Sequence, residues 1–79
     1  MKDFLEYVAR GLVDKPDAVE VDVEEDGDDT VLTLVVDQED MGRVIGRDGR
    51  IANAIRTLAK ASATAQDAGR VMVEIVEDD

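Results

Sequence analysis

The sequence predicts a two-layer α+β domain, with elements in the order α-β-β-α-α-β and a three-stranded sheet covered on one face by helices. Apolar residues recur at helical spacing near the N-terminus and again after residue 50, whereas three other segments have the apolar patterns of strands. Amphipathic helices must bury their apolar stripe, and one face of a small sheet provides that surface. Because 79 residues cannot build a second core, we expect residues 1–79 to form one domain.

Residues 2–13 are predicted to form the first helix, which ends before Pro16 because proline cannot continue a helix. Four large side chains share its apolar face: Phe4, Leu5, Val8 and Leu12. The next segment alternates strictly between apolar and acidic residues, as is typical of a half-buried strand. Its apolar face consists of Val19, Val21 and Val23, and its acidic face of Glu20, Asp22 and Glu24.

An acidic turn at residues 25–29 leads to a second strand, residues 30–36, whose apolar side chains point to both faces. We therefore expect this strand to be central in the sheet or covered on both faces. Asp37 and Asp40 precede a short second helix, and Asp37 is expected to accept from N–H groups that lack partners at its start. A third strand near the C-terminus places Val71, Val73 and Ile75 on one face.

Beyond Gly49 the pattern predicts a helix of about four turns, with Gly69 just past its end. Its core-facing side consists of Ile51, Ile55, Leu58 and Ser62. The opposite, polar side consists of Arg50, Asn53, Thr57 and Lys60. A strip of small residues lies on one flank: Ala52, Ala59 and Ala63. High helix propensity explains this strip, and the alternative is a flat surface where a second copy or a partner domain packs closely.

The composition argues against most kinds of active site. The chain has no cysteine and no histidine, which removes disulfides, thiol ligands, the commonest general base and the commonest metal ligand. Acid-rich runs at residues 24–29 and 77–79 fall in a turn and a tail, without a nucleophile to serve. We therefore expect neither an enzyme nor a bound cofactor, and a magnesium ion at the acidic turn stays open as an alternative.

The same composition bears on the compartment. No segment approaches the roughly 20 apolar residues that a membrane span needs. Residues 1–8 carry acids where a signal peptide has an apolar run. We therefore expect a soluble cytoplasmic protein that makes no contact with a membrane. The low pI of about 4.2 is explained most simply by a solvating surface, of a kind suited to a salty cytoplasm.

Positive charge is concentrated in residues 41–60, MGRVIGRDGRIANAIRTLAK. This segment has five basic residues and a single acid, Asp48, in a chain whose net charge is −11. Charges act locally because salt screens them within about 10 Å at moderate ionic strength. A polyanion can therefore approach this segment although the chain as a whole is acidic.

Two glycines three residues apart, Gly46 and Gly49, separate the two helices of this segment. A turn this tight needs a positive φ at one position at least, which glycine adopts at little cost. The turn leaves N–H groups without acceptors at the start of the long helix, and such groups bind phosphate. Arg47 lies at the tip, between Arg43 and Arg50. Apolar residues on either side of the loop would form an apolar floor against which the bases of a nucleic acid could pack: Val44, Ile45, Ile51 and Ile55. Such a site suits a single strand better than a duplex.

The run VIGRDGRIANAIRTL resembles the VIGxxGxxIxxI signature of KH domains, and the order of elements resembles the type II, prokaryotic arrangement. Over essentially its whole length the chain is similar to the small bacterial single-KH proteins of the KhpA (YlqC) family. This resemblance implies RNA binding, with the loop clamping the backbone of about four nucleotides. The clamp would consist of Gly46, Arg47, Asp48 and Gly49, and the complete predicted RNA-binding set is Arg43, Val44, Ile45, Gly46, Arg47, Asp48, Gly49, Arg50 and Ile51.

The resemblance also implies partners. Members of this family dimerise, with themselves or with a larger Jag/KhpB-type RNA-binding protein, and are linked to cell elongation and division. The hypothesis is a post-transcriptional regulator or RNA chaperone that binds single-stranded RNA. Asp48 departs from the family's basic or neutral loop residue, and its carboxylate repels phosphate, so we expect modest affinity. The alternative is a dimerising adaptor whose partner supplies most of the RNA recognition.

Overall fold

The computed structural model describes residues 2–65 and 69–78, and it has the predicted order α-β-β-α-α-β. The helices and strands are α1 (Lys2–Leu12), β1 (Glu20–Asp26), β2 (Asp29–Asp37), α2 (Met41–Ile45), α3 (Arg50–Ala65) and β3 (Val71–Asp78). Single turns of 3-10 helix cover Pro16–Ala18, Gln38–Asp40 and Arg47–Gly49. Within the described ranges no helix has the combination of length and apolar character that crossing a membrane requires.

The sheet has the strand order β1-β2-β3, which confirms the central position predicted for β2. β1 and β2 are antiparallel and β2 and β3 are parallel, with α2 and α3 forming the crossover between the parallel pair. The predicted acidic turn is shorter than expected, because Asp26 pairs with Asp29 and only two residues connect the strands. Gly27 is the first of them and adopts a φ of 62°, as tight hairpin turns require.

One face of the sheet and the inner sides of the helices form the core. In β2 the buried side chains are Leu32, Leu34 and Val36, which confirms one of its two faces as core. Beside them on the same face of the sheet lie Val21 of β1 and Val71 and Val73 of β3. Opposite them lie buried residues of the helices: Leu5, Ala9, Val44, Ile55, Ala59 and Ala63. Burying a large aliphatic side chain contributes about 1.5–3 kcal/mol, so this shared face accounts for the two-layer arrangement.

In β1 and α1, two residues predicted to face the core are nearly half exposed. Val23 is 44% exposed because it lies on β1, an edge strand, near the hairpin turn. Phe4 is 46% exposed, since α1 packs on the sheet through Leu5 and Ala9 instead. Helical spacing identified the correct side of α1, but the centre of its buried stripe lies one position further along the chain.

The buried stripe of α3 differs from the predicted one. It consists of Ala52, Ile55, Ala59 and Ala63. Leu58, predicted to be core, is 49% exposed, and the predicted polar side is exposed as expected. The small-residue strip therefore packs inside this protein, and its interpretation as a surface for a second copy is wrong. Gly69 lies outside the helix as predicted, whereas residues 66–68, where the helix end was expected, are outside the described residues.

Alanine at three of the four buried positions lets the α3 backbone lie close to the sheet. Enlarging one of these side chains should therefore force the two layers apart. We expect Ala59→Leu to lower the free energy of unfolding by about 1–3 kcal/mol, as overpacked cores do. The matched control is Ala61→Leu on the exposed side of the same helix, where we expect a change within about 0.5 kcal/mol. Urea denaturation measures both, and equal effects would contradict the buried strip.

Candidate nucleic-acid interface

Three of the four residues in the GRDG loop between α2 and α3 have a positive φ. Gly46 ends α2 with φ 76° and ψ 176°, a conformation that essentially only glycine adopts. Gly49 has φ 76°, and Asp48 has φ 56° and ψ 25° although it carries a side chain. At least one positive φ was predicted here, and the structure has three. A Cβ added at Gly46 would also collide with Ile51, so this position is constrained twice.

The loop uses some of its N–H groups internally and leaves others free. The N–H of Gly46 donates to the Gly42 carbonyl oxygen (2.9 Å), and that of Gly49 donates to Gly46 (3.3 Å). The N–H of Arg50 donates to the Arg47 carbonyl oxygen. The N–H groups of Arg47 and Asp48 have no acceptor within residues 2–65 and 69–78. Fewer N–H groups are therefore available to a ligand than the sequence indicated, and the two that remain lie at the exposed tip of the loop.

The basic residues of the segment are not equivalent. Arg47 and Arg50 are exposed and form no ion pair with the described residues. Arg43, in contrast, has its Nη2 2.9 Å from Asp14 Oδ2 and its Nε 3.8 Å from Asp40 Oδ1. The charge of Arg43 is thus balanced within the chain, while those of Arg47 and Arg50 remain available to a ligand.

A buried carboxylate fixes the start of α2. Asp40 is 2% exposed and accepts hydrogen bonds from the backbone N–H groups of Asp14 (3.2 Å) and Lys15 (3.1 Å). These bonds tie the segment that follows α1 to the helix that carries the loop. Asp37 caps the preceding turn as predicted, since its Oδ1 accepts from the Glu39 N–H at 2.9 Å. The sequence places Asp40 just ahead of α2, but its burial and its hydrogen bonds to Asp14 and Lys15 were not predicted. The one signal for its pairing with a cation is its spacing of three residues from Arg43.

A second contact supports the same junction. Lys15 Nζ lies 2.8 Å from Glu39 Oε2 and 3.7 Å from Asp37 Oδ1. The hydrogen bond to Glu39 raises the pKa of Lys15 above its usual value, and the nearby charges of Asp37 and Glu39 add to this shift. Lys15 is therefore cationic at every physiological pH, so the junction keeps this contact throughout.

The residues predicted to form an apolar floor divide into two groups. Val44 is fully buried and Ile55 is 4% exposed, so both pack beneath the loop in the core. Ile45 and Ile51 are only partly buried and lie on the two sides of the loop. The apolar surface that a ligand can reach beside the loop is therefore smaller than the sequence indicated.

Beyond the loop, α3 and the edge strand β3 enclose a groove of about 210 Å³. It is lined by Arg56, Lys60, Val71, Met72 and Val73. Arg56 Nε donates to the Val73 carbonyl oxygen at 3.3 Å, whereas Lys60 forms no ion pair with the described residues. Arg50 and Lys60 are ten positions apart on α3, which corresponds to about 15 Å along the helix, so the loop and groove together form an extended surface.

The chain matches the profile of the KhpA/KhpB KH domain over residues 2–75. The chain belongs to the KhpA/KhpB KH-domain family. Three bacterial relatives, each called RNA-binding protein KhpA, cover nearly all of it. The Clostridium acetobutylicum protein is 50% identical over 76 residues, covering 96% of this chain and 100% of the relative. The Caldanaerobacter subterraneus subsp. tengcongensis protein is 49% identical with the same coverage. The Chlamydia trachomatis protein is 38% identical over 78 residues, or 99% of each chain.

A solved structure shares the fold of this KhpA-family chain. It is Aquifex aeolicus Era bound to GDP·AlF4−, which matches with a TM-score of 0.60 and 18% sequence identity. The match covers 98% of this chain and 31% of the Era chain, so the shared fold corresponds to part of the larger protein. The family and the fold expected from the VIGRDGRIANAI run are thereby confirmed.

The magnesium alternative finds no support in the described part of the chain. Residues 2–65 and 69–78 contain no group of three or more acidic side chains placed so that it could hold a metal ion. The acids of β1 and of the turn that follows it are exposed to solvent: Glu20, Asp22, Glu24, Glu25, Asp26 and Asp28.

The two glycines of the loop should differ in their tolerance of a side chain. Gly46→Ala places a Cβ against Ile51 in a backbone region reserved for glycine, so we expect it to cost about 3 kcal/mol of unfolding free energy. Gly49→Ala meets open space and bears only the penalty of a positive φ, about 1 kcal/mol. Thermal or urea unfolding of both variants tests this difference, and equal losses would contradict the loop geometry.

Proposed function

We propose that this chain binds single-stranded RNA, with the GRDG loop gripping the backbone and the α3–β3 groove receiving the following nucleotides. Membership of a family whose relatives are named RNA-binding proteins supports RNA as the ligand. The observation that carries the proposal is the loop tip. Two N–H donors, on Arg47 and Asp48, find no acceptor among the described residues, and they lie beside the guanidinium groups of Arg47 and Arg50, which form no ion pair with those residues either.

The distribution of charge explains how an acidic protein can bind an acidic polymer. The sixteen residues of α3 include three basic residues and no acid. Charges elsewhere on the chain are screened within about 10 Å, so the field at the loop and groove is set by nearby groups. Asp48 is the exception, since its exposed carboxylate lies at the tip itself and weakens the grip on phosphate.

The same features predict little base specificity. The chain has one phenylalanine and one tyrosine, Phe4 and Tyr7, and both lie on α1. Bases would therefore contact aliphatic side chains, Ile51 beside the loop and Met72 in the groove, without the aromatic stacking that many single-strand binders use. A sequence-tolerant module of this kind suits a cytoplasmic RNA chaperone or post-transcriptional regulator, and the family resemblance connects such a role with cell elongation and division.

Reversing one charge at the loop tip should weaken RNA binding without unfolding the protein. We expect Arg47→Glu to lower the affinity for a labelled single-stranded RNA at least tenfold, because it replaces a phosphate-binding cation by a second acid beside Asp48. Fluorescence anisotropy measures the affinity, and the thermal midpoint should stay within about 2 °C. The control is Arg10→Glu on α1, with the same change in net charge. Equal binding by wild type and Arg47→Glu would refute the proposal.

The salt dependence of binding provides a separate measure of the surface. About three phosphate contacts, made by the loop tip, Arg50 and Lys60, should give a slope of log affinity against log salt near −2. A much steeper slope would mean that RNA covers a larger surface than the loop and groove.

A second candidate function is a dimerising adaptor, favoured by an apolar groove on the outer side of the helices. The groove lies between α1 and α3 and is lined by Phe4, Leu5, Val8, Ile55, Leu58 and Ala59. Phe4 and Leu58 are nearly half exposed, and Tyr7 beside them on α1 is 79% exposed. All six lining residues are apolar, so a second copy or a Jag/KhpB-type KH domain could cover this groove without burying a charge from it. The groove between α1 and α3, and not the buried alanine strip, is therefore the candidate surface for dimerisation.

A charge placed in this groove should prevent self-association. We expect wild-type protein to sediment as a dimer and Leu58→Glu as a monomer, because the substitution buries a carboxylate at the contact. The matched control is Thr57→Glu, one position along the same helix and exposed, which should still dimerise. Adding RNA distinguishes the two functions, since a tight dimer that ignores RNA favours the adaptor. A monomeric wild type would contradict the second candidate.

A further inference from the structure

The pair formed by Arg43 and Asp14 couples the RNA-binding loop to the end of α1. Arg43 lies on α2, three residues before Gly46, and its Nη2 is 2.9 Å from Asp14 Oδ2. Both side chains are open to solvent, with Arg43 56% and Asp14 71% exposed. An incoming phosphate can therefore reach the same guanidinium group that Asp14 holds.

We propose that Asp14 is an internal competitor for RNA, which occupies Arg43 in the free protein and is displaced by phosphate when RNA binds. This inference rests on the proposed RNA binding and adds a residue outside the loop that limits its affinity. A guanidinium group has five N–H donors in a planar fork and binds carboxylate and phosphate in the same geometry. Asp14 thus imitates the ligand.

The buried carboxylate beside the pair allows the exchange to occur without loss of structure. Asp40 is 2% exposed, and its Oδ1 lies 3.8 Å from Arg43 Nε. The Nε end of the guanidinium group therefore keeps a carboxylate beside it when Nη2 exchanges Asp14 for a phosphate. Asp14 also has a structural role, but its backbone N–H performs it by donating to Asp40 at 3.2 Å. Removing the charge of the Asp14 side chain therefore leaves that hydrogen bond in place.

The expected size of the effect follows from the exposure of the pair. Exposed ion pairs shift an equilibrium by at most about fivefold, because water and salt screen them. Abolishing the competition should therefore tighten RNA binding by about two- to fivefold. Asp14 therefore lowers the affinity for RNA modestly, in addition to the repulsion between Asp48 at the tip and the phosphates.

The test compares variants of the full chain by anisotropy with a labelled oligouridine. Asp14→Asn should bind about two- to fivefold more tightly than wild type. Asp17→Asn is the matched control, since Asp17 is an exposed acid three residues further along with no ion pair among the described residues, and it should change affinity less than twofold. Asp14→Glu keeps a carboxylate within reach of Arg43 and should bind as wild type does.

A double substitution separates competition from a general loss of negative charge. In the Arg43→Gln background, Asp14→Asn should no longer tighten binding beyond the effect of Asp17→Asn, because the contested cation is gone. In wild-type protein the Arg43 Nε–H resonance should shift when oligouridine is added, a readout that needs no substitution.

The outcomes distinguish this inference from the proposed function. If Arg47→Glu abolishes binding but Asp14→Asn behaves like Asp17→Asn, or binds more weakly than wild type, the competition is refuted and RNA binding stands. A stationary Arg43 Nε–H resonance at saturating RNA refutes it equally. If wild type and Arg47→Glu bind alike, the proposed function itself fails, and the role of Asp14 fails with it.

Discussion

The close contact between α3 and the sheet is the constraint on which the rest of this structure depends. Ala52, Ala59 and Ala63 provide most of the buried stripe of α3, and their small side chains let the helix backbone approach β3. A groove remains between α3 and β3, the edge strand of the sheet. The same packing places the start of α3, and with it the loop, at one end of this groove. The loop and the groove therefore belong to one surface because a single packing contact positions both.

Charge is separated between the two layers in a way that supports this surface. The exposed face of the sheet carries acids on the outer strands, including Glu20, Asp22 and Glu74, whereas α3 carries none. A nucleic acid is repelled by one side of the protein and attracted by the other, so the acidity restricts where RNA can bind without preventing it. The high net charge also disfavours non-specific association through the sheet.

Asp40 connects the two halves of the helical layer. By accepting from the N–H groups of Asp14 and Lys15 while lying next to Arg43, it fixes the segment after α1 against the first turn of α2. A buried carboxylate is tolerated in a small domain only when hydrogen bonds and a cation compensate it, and all of these are present. The position of the loop is thus set from both sides, by Asp40 before it and by the packing of α3 after it.

The amino-acid sequence was sufficient to identify the family, the order of the elements, the central position of β2 and the location of the loop. These follow from local signals: alternation in the strands, helical spacing, the cap at Asp37 and two glycines that allow a positive φ. It did not determine which side of α3 is buried, because Leu58 and Ala59 are neighbours on the helix and hydrophobicity alone favours the leucine. Because α3 lies close to the sheet, the small side chain of Ala59 fits between them and is buried, whereas Leu58 is left exposed.

Contacts between distant segments determine which basic residues lack an ion pair within the described part of the chain and where the groove lies. Arg43, Arg47 and Arg50 look alike in sequence, yet Asp14 reaches Arg43 from a segment 29 residues earlier in the chain. Val71, Met72 and Val73 join the site because β3 lies parallel to β2 beside α3, a pairing between distant segments. Periodicity and turn chemistry act over a few residues, whereas contacts across the fold depend on how whole layers meet.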